Sequence, residues 1–212
     1  MDREYSQVNN LLAEATNLIR REKEATGNVE PAEGYKRRQI EELKLFATQH
    51  NLWININSLP LSYLSKGGEN EVFTGHEDVV FKLNNFEYAG EDLENFFIRI
   101  EAHNLFFSNV TYQMIGFAYN SQYEFCAVLV QPYVRAKREA TEEEIAEHMQ
   151  ALGFEMVYED EYHNAEYEVF DAVPNNVLYG IDDKLYFIDT QIRFRPCLLY
   201  TSDAADDLIG VD

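Results

Sequence analysis

Four groups of residues in this chain have types and spacings that can do chemistry. Asp171 stands five positions before Asn176, with Pro174 between them, and Ile188-Asp189 places a second aspartate thirteen positions beyond Asn176. Two carboxylates and a side-chain amide are oxygen groups suited to proton transfer and to hard cations. Lys66-Gly67-Gly68-Glu69 opens a β-rich run, where backbone N–H groups can approach an anion. Lys82 lies inside Val79-Val80-Phe81-Lys82-Leu83, and a strand-interior ammonium must either reach water or find a carboxylate. Singly, the glycine pair and the Asp-to-Asn spacing read as turns.

Such residues need elements to hold them. Apolar positions at three- and four-residue spacing predict helices over residues 3–24 and 35–50, the second burying Ile40, Leu43, Leu45 and Phe46. Gly27, Pro31 and Gly34 punctuate the link between them. Strands are expected over 71–75 and 79–83, joined by a turn at residues 75–78, then over 112–118 and 125–131, with Pro132 ending the last. Between these pairs, a helix over 91–107 buries Leu93, Phe96 or Phe97, and Ile100. Thr141 and Glu144 form a capping box that starts a helix over 142–152. Short β runs at 155–158 and 166–170 lead into Asp171, and a hairpin spans 177–179 and 184–188. That hairpin opens just after Asn176 and closes just before Asp189, which would bring the two together. The order of elements is an α+β layout.

The Asp171-to-Asn176 run with Val177-Leu178 after it, followed by a hairpin and Ile188-Asp189, resembles the protein-kinase-like superfamily. The resemblance implies a two-lobed phosphotransferase using ATP and Mg²⁺, with Asp171 accepting the acceptor's hydroxyl proton and Asn176 and Asp189 holding the metal. Gly67 and Gly68 would cover the phosphates, and Val80-Phe81-Lys82 matches the strand whose lysine pairs with them. That lysine is held by a helix glutamate in the superfamily, here Glu101 or Glu94, which stand seven apart on one helix face. Backbone groups of Gln131 and Tyr133 would meet the adenine edge. Gly-Gly-Glu-Asn-Glu-Val-Phe, Val-Phe-Lys-Leu-Asn-Asn and Glu-Ala-His-Asn-Leu-Phe-Phe are similar to a compact kinase-like domain of polyvalent proteins from phages and conjugative elements, over roughly residues 37–194. The chain departs from the superfamily in three places. Only two glycines stand in the loop, Val169-Phe170 replaces a His-Arg or His-Gly pair before Asp171, and Thr190-Gln191 replaces Phe-Gly after Asp189. Those departures keep open a non-catalytic module that binds nucleotide or another protein.

Composition narrows the field. The 212 residues carry 17 Lys plus Arg against 38 Asp plus Glu, a net charge of −21 that repels phosphate backbones and anionic membrane surfaces. No apolar run reaches the length of a membrane helix, and the start lacks the pattern of a secretory signal, so a cytoplasmic setting is expected. Five histidines without an HExxH or HxxxH spacing argue against zinc, and the absence of a GxSxG elbow argues against a serine hydrolase. His103 and His163 read as a buried or capping residue and a solvated loop residue. From Cys197 onward the sequence resembles a translated sequencing adaptor, so the native chain is expected to run to about Pro196 and to carry −17. The expected division is a helical extension over 1–52, a smaller lobe over 53–134, part of a larger lobe over 135–196 and a foreign tail over 197–212.

Overall fold

A computed structural model describes residues 2–25, 34–75 and 78–195, with side chains from Leu11 onward. Gly27, Pro31, the His76-Glu77 tip of one turn and the tail from Cys197 lie outside the described residues. Two helices lead, α1 (Asp2–Ala25) and α2 (Tyr35–Gln49). A five-stranded antiparallel sheet follows, made of β1 (Ser62–Lys66), β2 (Asn70–Thr74), β3 (Val79–Asn84), β4 (Gln113–Tyr119) and β5 (Phe125–Pro132) in the order β1-β2-β3-β5-β4. Helix α3 (Glu94–Phe106) links β3 to β4. Then come β6 (Ala136–Glu139), α4 (Glu142–Ala151), β7 (Glu155–Tyr158), β8 (Glu161–His163), β9 (Tyr167–Phe170), β10 (Val177–Gly180), β11 (Leu185–Phe187) and β12 (Gln191–Phe194). They form two further sheets, β11-β10-β6 and β12-β9-β8-β7. The α+β layout read from the sequence is the one found.

Local chemistry explains most element boundaries. Helix α4 starts at a capping box with both bonds made, Thr141 Oγ1 accepting from Glu144 N and Glu144 Oε2 accepting from Thr141 N. Helix α3 begins differently. Asp92 Oδ1 accepts from Glu94 N at 3.0 Å, and buried Gln39 of α2 accepts from Leu93 N at 2.7 Å while donating to Asp92. Pro132 closes β5 as expected.

The helices cover one face of the five-stranded sheet. Leu11, Ala15 and Ile19 of α1 and Leu43 and Ala47 of α2 share a single apolar cluster with Leu93 just before α3, with Phe96, Phe97 and Ile100 of α3 and with Met114, Phe117 and Leu129 of the sheet. Leu45 is the exception to the expected face of α2. It is 52% exposed, because two residues past Leu43 the helix has turned about 200°. On the opposite sheet face, Leu83, Ala118, Cys126 and Val128 pack under Ile54 and Ile56. A third cluster joins α4 and Phe107 to Val169, Val177, Phe187 and Ile192. No helix among the described residues is long and apolar enough to cross a membrane.

Candidate functional site

Strand pairing decides where the acidic residues meet. Strand β9 ends at Phe170, and β12 begins at Gln191, which is Phe170's partner across the sheet. The pairing therefore carries Asp171 and the Asp189-Thr190 segment to the same end of two neighbouring strands. The β10–β11 hairpin does the rest, since Ile188 N donates to Asn176 O at 2.9 Å. Asn176 Nδ2 in turn donates to Asp171 O at 3.0 Å, and Asn176 Oδ1 receives the Asn175 amide at 3.3 Å. Asp171 is held at φ 59°, in the left-handed region, which Asp tolerates better than most residues. Its carboxyl is raised above the ordinary aspartate value by partial burial and by the nearby charges of Asp189 and Asp160, against the opposing Asn176 bond.

Lys82 projects from β3 into the same place. Its side chain is buried, and Nζ donates to Ile188 O at 2.6 Å, to Tyr112 Oη at 3.1 Å and to Asp189 Oδ1 at 3.1 Å. Burial works against the ammonium, yet Tyr112 and Asp189 hold its pKa above the ordinary lysine value. The expected glutamate partner is not there. Glu94 is bound by Arg20 and Lys23 of α1, and the exposed Glu101 meets Thr16 of α1. Both glutamates lie on the side of α3 that faces α1. The face turned to the site carries Arg99 and His103, in phase with Phe96 and Ile100.

The glycine pair forms the β1–β2 turn, closed by Gly67 N donating to Asn70 O at 2.9 Å. Tyr88 lies against Gly68 so closely that a Cβ there would sit 2.1 Å from the Tyr88 hydroxyl. On the link after β5, the Tyr133 N–H already donates to Asp78 O at 2.8 Å; Gln131, within β5, pairs with Val80 of β3, and its side chain donates to Val110 O. His103 is buried, with Nε2 2.8 Å from Phe187 O and its ring against Tyr112. His163 lies on β8, paired with Glu155. A cavity of about 30 Å³ touches Asp189, Thr190, Arg99 and His103; hollows of about 280 Å³ beside Tyr133 and beside Arg99, and one of about 510 Å³ beside Glu71, do not reach Asp189.

A family model described as a serine/threonine/tyrosine kinase found in polyvalent proteins matches residues 36–196. The chain belongs to this family. No curated protein and no solved structure matches it. The match covers every element of the kinase-like domain from α2 to β12 and leaves α1 outside it. Asp189 and Asn176 supply the hard oxygens that Mg²⁺ prefers, and the Asp189 side chain is 45% exposed, so the donor set of the kinase-like domain fits that ion. A network of Arg99, Glu69 and Gln191 escaped the sequence reading. A charged residue in phase with an apolar helix stripe was its visible signal.

Proposed function

We propose that the domain is an ATP- and Mg²⁺-using phosphotransferase of the polyvalent-protein kinase family. One observation carries the reading. A buried lysine, fixed on an aspartate, shares its surroundings with an asparagine and a second aspartate delivered by a hairpin and a paired strand end. On this reading the five-stranded sheet with α3 is the smaller lobe and the remaining sheets with α4 are part of the larger. Lys82 would leave one of its present acceptors to bind a phosphate oxygen, and the Gly67-Gly68 N–H groups would approach the same anion. Asp171, with its raised pKa, would take the proton of the acceptor hydroxyl as the new O–P bond forms and the bond to the leaving diphosphate breaks. Asn176 holds the Asp171 carbonyl and would present Oδ1, with Asp189, to Mg²⁺. Held by those two residues, Mg²⁺ would supply positive charge against the phosphate. The same reading has the chain act in the cytoplasm, as a module of a larger phage or conjugative-element protein.

A second reading, a kinase-like binding module without transfer, draws on the Tyr88 ring against Gly68 and on the committed Tyr133 N–H. Thermal unfolding separates the readings. ATP with Mg²⁺ at a hundredfold excess over its dissociation constant stabilises the folded state by about 2.7 kcal/mol. The shift should require Mg²⁺ and vanish in Lys82→Met and Asp189→Asn proteins. Transfer of label from γ-phosphate-labelled ATP to the protein itself or to a panel of hydroxyl acceptors then marks a phosphotransferase. A Mg²⁺-dependent shift without transfer favours the binding module, and no shift in a folded protein removes the nucleotide altogether.

A further inference from the structure

We propose that Arg99 is a positioning residue that locks α3 to both the glycine turn and the Asp189 segment. The inference rests on the phosphotransferase reading for its meaning, but its geometry stands apart. Arg99 is 8% exposed, and its guanidinium reaches three segments at once. Nη2 lies 3.2 Å from Glu69 Oε2, next to Gly68 in the β1–β2 turn. Nη1 donates to Gln191 Oε1 at 2.7 Å, two residues beyond Asp189. Nη1 also lies 3.4 Å from the carbonyl of Tyr88, whose ring rests on Gly68. Gln191 Nε2 closes the ring by donating to Glu69 Oε1 at 3.3 Å.

Two features make this more than a packing contact. Both terminal nitrogens of Arg99 find acceptors while Nε is buried without one, and a planar fork suits three acceptors from three directions where an ammonium does not. Glu94 and Glu101 are spent on α1, so the charged link from α3 into the site runs through Arg99. Any rotation or slide of α3 therefore moves the phosphate-facing turn and the Asp189 segment together. Lys82 is coupled at second hand, through its bond to Asp189.

The test compares Arg99→Met, Arg99→Lys, Glu69→Gln and the double Arg99→Met/Glu69→Gln in the full chain. Three readouts are taken: thermal unfolding, amide hydrogen exchange without nucleotide, and ATP·Mg²⁺ turnover. Arg99→Met strands the Glu69 carboxylate and loses stability, and the double change, which removes both charges of this pair, recovers most of it. A merely structural arginine would stop there. A positioning arginine leaves the double variant with exchange in residues 66–72 and 188–194 faster by about tenfold, and with KM for ATP raised by a similar factor, the scale of one lost charged hydrogen bond. Arg99→Lys should regain stability but only part of the exchange protection, because one ammonium cannot span Glu69 and Gln191. A double variant with wild-type stability, exchange and KM overturns the proposal. If the wild-type chain binds no nucleotide, the phosphotransferase reading falls, and the exchange pattern alone decides the role of Arg99.

Discussion

The Lys82–Asp189 pair should respond asymmetrically to the loss of either partner. Lys82 is 6% exposed, whereas the Asp189 side chain is 45% exposed. Asp189→Asn leaves the ammonium in place with two neutral acceptors, Tyr112 Oη and Ile188 O. Stranding one member of a fully buried pair costs about 3–5 kcal/mol. Asp189 is partly screened by water and two acceptors remain, so about 2 kcal/mol is expected here. For a chain of this size that lowers Tm by roughly 4–8 °C. Lys82→Met removes the buried charge and leaves a carboxylate that can turn to solvent, so its stability should stay within about 1 kcal/mol of wild type. The double variant should match Lys82→Met. The pH profile adds a sign. Asp189→Asn removes one of the two groups that raise the lysine's pKa, so its stability should fall less than that of wild type as pH climbs past about 10. The wild-type lysine, with its raised pKa, keeps its contribution up to about pH 10 and loses it above. Scanning calorimetry and urea unfolding at matched pH are the assays. A Lys82→Met protein that falls as far as Asp189→Asn would refute the reasoning.

Other positions give independent checks. His103 is buried, chiefly for that reason its pKa is lowered to about 4, and the unfolded chain therefore takes up its proton first as pH falls. Stability should drop by about 2 kcal/mol between pH 7 and 5, and urea midpoints should show a flatter profile in His103→Gln. Thr141→Ala removes one half of the capping box and should cost about 1 kcal/mol, or roughly 2–4 °C in Tm. Gly116→Ala should cost at least as much, since a Cβ would lie 2.4 Å from the Leu52 carbonyl, which receives the Phe117 N–H. Overpacking against backbone costs about 1–3 kcal/mol, and a calorimetric Tm within 2 °C of wild type would contradict the contact.

What was legible in the sequence was local. The capping box at Thr141, the apolar stripe of α3 and the hairpin after Asn176 are each written within a dozen residues, and each formed as expected. The missed strands lacked such signals. All five residues of β1 and all four of β6 are exposed, so neither shows the buried-and-exposed alternation that marks a half-buried strand, and β8 and β12 are three and four residues long. The partner of Lys82 was hidden for another reason. Helical spacing shows that Glu94 and Glu101 share a face, but which face meets the sheet depends on how α1 docks. Arg20 and Lys23 draw Glu94 outward and Thr16 meets Glu101, a long-range preference with no local mark. The meeting of Asp171 with Asp189 likewise depends on a β9–β12 register spanning twenty residues.

Helix α1 lies outside the stretch that the family model matches, yet it inserts Leu11, Ala15 and Ile19 into the core and grips Asp92 and Glu94 at the start of α3. In binding language, it is a ligand for α3 carried on the same polypeptide. A covalent tether gives such a ligand an effective concentration on the order of millimolar, so docking does not depend on how dilute the protein is. A domain of this family preceded by a different helix would present another ligand to the same groove. The resting placement of α3, and with it the arginine that ties the turn to the aspartate, would then be inherited from sequence that is not part of the kinase-like domain.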